Sequence, residues 1–165
     1  MNTDDPMVLD VIRRCMVARI ATLSRNGRPS INPLYFVYLN GRIWLGTSDW
    51  TLAARNVKAD PRVSVLFEVE QGSSDHRVVR IRGRASLRED RKAQRSYVFR
   101  VALKYVLTPG GIQNALAHIR QLPLRRNYAA KSAAKGNSCV IEVIPEQTEL
   151  LFSDDHHSEA DATLR

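Results

Sequence analysis

The chain has 165 residues, 44% of them apolar, which is the length of one domain with an ordinary core and excludes wholesale disorder. No apolar run reaches the roughly 18 to 20 residues that cross a bilayer, and the start from Met1 to Pro6 is acidic and polar, unlike a secretory signal, so a soluble cytoplasmic protein is expected. Charge is the unusual feature: 25 basic against 17 acidic residues give +8, which favours an anionic partner such as a phosphorylated cofactor, an acidic substrate or nucleic acid.

Asp5-Pro6 reads as an N-cap followed by proline at the first helical position. Val8, Val11, Ile12, Cys15 and Met16 recur at helical spacing, so a short amphipathic helix should end near Met16. From Val17 the pattern changes to strands: VARIATLS, the turn Asn26-Gly27, INPLYFVYL, the turn Asn40-Gly41, then RIWLGT. Asn-Gly between apolar runs is among the strongest short-range hairpin signals. INPLYFVYL is apolar on both faces, with Ile31, Pro33, Tyr35 and Val37 on one and Leu34, Phe36 and Tyr38 on the other. That predicts a strand covered on both sides, either central in a barrel or lying in a dimer interface. Pro33 has no N–H to give, so the strand should open there.

Ser48 to Val57 reads as a loop and a short helix stopped near Asp60-Pro61. RVSVLFEV alternates, with Val63, Val65, Phe67 and Val69 inward. A polar loop at Gly72 to Asp75 leads to HRVVRIRGRASL. Its odd positions, from Val79 to Leu87, are small or apolar; its even positions carry Arg80, Arg82, Arg84 and Arg88. Between Arg77 and Lys104 ten basic residues face only Glu89 and Asp90.

Arg91 to Leu107 returns to helical spacing through Ala93, Tyr97, Val98, Val101 and Tyr105. Thr108-Pro109-Gly110-Gly111 breaks it. A further helix is expected from Ile112 to Gln121, ended by Pro123, then a mobile basic loop from Asn127 to Asn137. CVIEVIPEQTELLF supplies one or two closing strands, and the polar tail from Ser153 should be disordered. The expectation is one domain over residues 1–152 with a helical insertion at about 91–122. Its class is α+β, mainly β: six or seven antiparallel strands in a small barrel with peripheral helices.

Cys15 and Cys139 lie far apart in apolar surroundings and read as buried free thiols, with no CxxC pair or Cys/His cluster to suggest a metal. His76, His118, His156 and His157 share no context, and no Ser/His/Asp or Cys/His arrangement is present. Side-chain acid–base or nucleophilic chemistry has no visible support. Such a chain suits an enzyme whose cofactor carries the chemistry.

Three segments share a pattern: ARIATLSRNGRPSINPLYFVYLNGRIWLGTS, then ARNVKADPRVSVLFE, then VVRIRGRASL. They hold Ala-Thr ahead of an Asn-Gly turn and Gly-x-Pro, Thr47 at the end of a strand, and Asn56 ahead of Asp60-Pro61-Arg62-Val63-Ser64. From Val17 to about Leu87 this resembles the pyridoxamine-phosphate-oxidase-like split β-barrels. The resemblance implies a homodimer with a flavin, usually FMN, in each interface cleft. The isoalloxazine would lie along Asn32, Pro33, Leu34 and Tyr35 as far as Val37, held mostly by backbone groups. The phosphate would sit at the turn after Thr47 and on cations of the following helix.

The residues agree in part. A loop running into a helix N-terminus is an anion site, and Thr47 and Ser48 add hydroxyls, unless they only cap the helix. Where the family pattern places a basic pair on that helix, this chain has Leu52-Ala53. The loss of two charge-assisted bonds is worth about 3 to 6 kcal/mol. Arg55, one turn on, is a candidate replacement. So is Arg82, with Arg80, if their face lines the cleft rather than solvent. Tyr35 either edges the ring or packs in the interface. Trp50 either stacks on a ring or joins the core, and Trp44 is assigned to the core.

The leading expectation is an FMN-dependent oxidoreductase acting on an unknown small molecule. Alternatives are a deazaflavin-dependent reductase, with the basic stretch from Arg120 to Lys135 receiving the acidic tail, or a non-enzymatic binder of flavin, haem or another anionic ligand. Nucleic acid is disfavoured, because the basic residues lack interleaved aromatics and no motif for that task is present.

Overall fold

The computed structural model describes residues 2–69, 76–105 and 136–152. The helix expected at Ile112–Gln121, most of the loop from Asn127, the polar loop at Gly72–Asp75 and the tail from Ser153 lie outside the described residues. Helix α1 spans Pro6–Arg14, with the Asp5 carboxylate accepting from Met7 N–H at 2.9 Å and Val8, Val11 and Ile12 buried. It stops two residues before Met16 because Cys15 turns to extended backbone as its C-cap.

Strands β1 (Ala18–Leu23) and β2 (Pro29–Leu34) form the first hairpin, and β3 (Phe36–Leu39) and β4 (Arg42–Ser48) the second. The two Asn-Gly turns differ. At Asn40-Gly41 both residues have positive φ, 51° and 72°, as a two-residue type I′ turn demands. At Asn26-Gly27 only the glycine does (72°), and Gly27 N–H donates to Ser24 O at 2.9 Å, so this loop is longer and the glycine closes a tight turn.

INPLYFVYL is not one strand. It breaks at Tyr35, so that β2 pairs with β1 and β3 with β4. After α2 (Leu52–Ala59) come β5 (Arg62–Glu68), β6 (Arg77–Arg88), α3 (Arg91–Tyr105) and β7 (Ser138–Phe152). The seven-stranded antiparallel sheet has the order β2-β1-β5-β6-β7-β4-β3. Its two edge strands are therefore consecutive in the chain, joined through Tyr35, and the sheet curls into a split barrel. The expected opening at Pro33 is corrected accordingly. Pro33 stays in register opposite Arg19, on an edge strand where a missing N–H is tolerated. The central position expected for this segment is also corrected, since both of its halves are edges.

Alternation holds in β5 and β6. Val63, Val65, Phe67, Val79, Ile81 and Ala85 are buried. Phe36 and Phe67 meet edge to face at 4.8 Å in the centre of the core. Each such fully buried side chain contributes about 1.5 to 3 kcal/mol. The closing segment is a single strand: β7 pairs with β6 along its length and with β4 at its start. A register shift at Arg82/Gly83 marks a bulge.

Two inward assignments fail. Val98 is 64% exposed, because α3 meets the sheet through Ala93, Tyr97 and Tyr105 instead. Trp44 is only half-buried: Ile43 and Leu45 take the core side of β4, which leaves Trp44 on the opposite face.

Candidate functional site

β2, the end of β4 and the N-terminal half of α2 come together on one side of the barrel. Their junction is a buried polar cluster. Asn56 on α2, 4% exposed, donates through Nδ2 to Thr22 Oγ1 (3.0 Å) and Ser30 Oγ (3.1 Å), and those two hydroxyls are 2.9 Å apart. One amide thus fastens α2 across the β1–β2 hairpin, which gives Thr22 and Asn56 a structural reason to sit in the pattern. Asp60 ends α2 and grips Arg62, which holds its carboxyl well below the usual range, at about 2.

Asn32 lies two residues beyond Ser30 on the same face of β2. Its Oδ1 is buried and has no hydrogen-bond partner among the described residues. A buried acceptor left unpaired costs about 1 to 3 kcal/mol, so a donor brought to this spot would be favoured. Leu34 shares this half-buried face, while Ile31, Pro33 and Tyr35 point outward, Tyr35 56% exposed. The carbonyl of Tyr35 is held by Gly46 N–H (3.1 Å) and the Tyr97 hydroxyl (2.9 Å), which fixes the break in the strand.

At the end of β4 the helix cap is Thr51, not Thr47 or Ser48. Thr51 Oγ1 accepts from Ala54 N–H and gives its proton to Ser48 O at 2.8 Å. The 2.8 Å contact between the Thr47 and Thr51 hydroxyls therefore spends the Thr47 proton. Of the two hydroxyls, Ser48 is the one with its donor uncommitted among the described residues. Arg55 is exposed on α2 and makes no ion pair there. Trp50 is 41% and Leu52 45% exposed beside the cap, so Trp50 is not core. Asp49 ties the turn to the start of β7 through two bonds with Asn137, at 3.0 and 3.1 Å.

Arg82 is not brought to this junction. Its side chain lies on the open outer face of the sheet, in a cross-strand row with Ile31, Ala21, Ser64 and Gln147. That row puts it three strand spacings, about 14 Å, from β2. The arginine row of β6 is matched by carboxylates: Glu149 takes Arg80 and lies 3.7 Å from Arg82, Glu146 takes Arg84, and buried Glu142 takes Arg88. Cys15 and Cys139 are buried, and burial pushes both thiols up. Among the described residues no group of three or more His, Cys, Asp or Glu could hold a metal, and no helix is long and apolar enough to cross a membrane.

The pyridoxamine 5'-phosphate oxidase family model matches residues 5–152. The chain belongs to that family. Solved structures share the fold at low identity. A conserved hypothetical protein of Mycobacterium tuberculosis is 21% identical, covered over 90% of this chain and 84% of its own, with a TM-score of 0.65. An F420 reductase is 17% identical (85% and 94% covered, TM-score 0.58). HutZ, a heme-storage protein of Vibrio cholerae, is 19% identical (90% and 93% covered, TM-score 0.60). No curated protein sequence matches the chain.

Asn56 shows what pattern reading missed in this family member. Its Asn-x₃-Asp-Pro context was visible, but its partners Thr22 and Ser30 lie 34 and 26 residues away and only the fold joins them.

Proposed function

We propose that this protein is a flavin-dependent oxidoreductase that binds FMN in a cleft completed by a second copy of the chain. The isoalloxazine would lie against β2, with the phosphate at the turn between β4 and α2. The observation that carries this reading is the unpaired Oδ1 of Asn32, an acceptor buried on an edge strand where a flavin imide N–H would satisfy it. Exposed Tyr35, Trp50 and Leu52 border the same region with apolar surface, as a planar aromatic ligand requires. Ser48 Oγ and Arg55 are the phosphate candidates. When bound, the flavin supplies hydride transfer to or from a small molecule; the chain positions it, excludes water and sets the local field.

Deazaflavin is the second reading. Leu52-Ala53 and the committed Thr47 proton leave the phosphate end short of donors, and the likeness to an F420 reductase points the same way. Fluorescence-quenching titrations with FMN, riboflavin and the deazaflavin separate these. The FMN reading expects one flavin per chain and FMN tighter than riboflavin by about 10- to 100-fold, the worth of one charge-assisted bond. Arg55→Ala should erase that margin. Tight deazaflavin binding without FMN binding would establish the second reading, and indifference to all three would refute both.

A further inference from the structure

A groove of about 470 Å³ runs between α1, β3 and α3, and none of its lining residues belongs to the proposed flavin site. Its apolar lining is Leu9 and Ile12 from α1, Val37 from β3 and Leu103 from α3, with the Tyr38 ring beside them. Its charged lining among the described residues is Arg13, Arg100 and Lys104, without a carboxylate. Arg13 and Arg100 are exposed and make no ion pair among the described residues.

Lys104 is the unusual member. Its ammonium sits 3.5 Å from the centroid of the fully buried Phe36 ring and reaches one acceptor, Ile12 O, at a long 3.5 Å. Capping the last turn of α1 accounts for one of its three donors; beside the Phe36 and Tyr105 rings, the others have no hydrogen-bond acceptor among the described residues. Among the described residues, the groups facing it carry no negative charge. Cys15 has its thiol pushed up by burial, the Tyr38 hydroxyl is spent on Asp4, Tyr105 is held neutral by burial, and Arg13 and Arg100 are cations. Burial lowers Lys104 itself to about 8. A partly desolvated cation beside two more, over an apolar floor, lacks a counter-ion with an apolar body.

We propose that this groove binds a small amphipathic carboxylate, its head between Lys104, Arg13 and Arg100 and its apolar chain along Leu9, Ile12, Val37 and Leu103. The interaction is independent of the flavin reading and stands or falls without it.

Calorimetric titration of the full chain with octanoate tests it, with octanol and inorganic phosphate as the two half-ligands. One octanoate should bind per chain, at least about tenfold tighter than either half-ligand. Affinity should fall as pH rises past about 8 and Lys104 loses its proton. Lys104→Met, which keeps the stem and removes the charge, should weaken octanoate about tenfold. Leu9→Trp, which fills the floor and leaves every cation, should weaken it as well. Octanol equal to octanoate would reduce the groove to apolar contact, and phosphate equal to octanoate would reduce it to a basic patch. Either result, absence of binding, or octanoate affinity unchanged in both variants overturns the proposal.

Discussion

Asn56 and Lys104 are the two side chains whose surroundings define their work most sharply. Asn56 has both amide hydrogens engaged inside the barrel, so Asn56→Ala leaves Thr22 and Ser30 with each other alone and unfastens α2. A loss of about 2 to 3 kcal/mol is expected in urea unfolding; a loss below about 0.5 would mean that the cluster is idle. Lys104 works in the other direction. Its value in the folded chain is about 8, below the ordinary 10.5. Between those limits the unfolded chain holds more protons, so this group makes the fold more stable as pH rises through the window, and costs most below it. The cost is roughly 3 kcal/mol at most. Lys104→Met should therefore be more stable than the natural chain at pH 7, with the difference shrinking as pH approaches 10.5, measured as paired urea midpoints. A difference independent of pH would refute this account of Lys104. At this scale the sequence was partly legible. Asn32 lies on β2, Ser48 at the end of β4 and Arg55 on α2. Thr47 does not act as a spare donor, because Thr51, four residues on, takes the cap. The role considered for Arg82 depended on whether its face lines the cleft; it takes the outer face, where its partners Gln147 and Glu149 lie on β7, some 65 residues away.

Elements were more legible than their joints. The first helix, both hairpins, α2 and the alternating strands β5 and β6 follow from spacing and turn chemistry, since each depends on neighbours in sequence. The break at Tyr35 does not. Nothing local distinguishes Tyr35 from Pro33; the barrel's closure does, by sending β2 and β3 to opposite edges of one sheet. Val98 misled for a similar reason: α3 docks through tyrosine hydroxyls on backbone carbonyls as well as through apolar contact, which blurs its period. Two glycines test the packing of these elements. A Cβ on Gly83 would strike the backbone carbonyl of Ile144 at the bulge, which cannot move without breaking the β6–β7 ladder. A Cβ on Gly46 would strike the Tyr97 ring, whose side chain can swing away and give up its bond to Tyr35 O. Gly83→Ala should therefore cost about 2 to 4 kcal/mol and Gly46→Ala about 1. The reverse order in thermal unfolding would contradict the close approach at the bulge.

At the scale of the whole molecule, the outer face of the sheet from β2 to β6 carries Ile31 at 67% exposure, next to Tyr35 on the same edge, and no helix among the described residues covers it. The proposed homodimer would bury this face and bring the partner over β2. Ile31→Glu should shift sedimentation toward the monomer and weaken flavin together with it; a dimer that persists with unchanged flavin affinity would place the interface elsewhere. Assembly of this kind is not written in strand period or turn signals. In the sequence it shows only as a segment apolar on both faces, and that segment has turned out to be two edges.

On the proposed reading β2 receives the flavin ring through Asn32, and Asn32→Leu reaches that contact alone. The substitution removes a buried acceptor that has no partner among the described residues and keeps the side chain's size. FMN and riboflavin should both bind the variant about tenfold more weakly than the natural chain, since the lost bond is on the ring and not the phosphate. The flavin-free variant should unfold at an equal or higher urea concentration, because an unpaired acceptor has been taken out of the interior. Unchanged affinity for both flavins in Asn32→Leu, or no binding of either by the natural chain, would contradict the account.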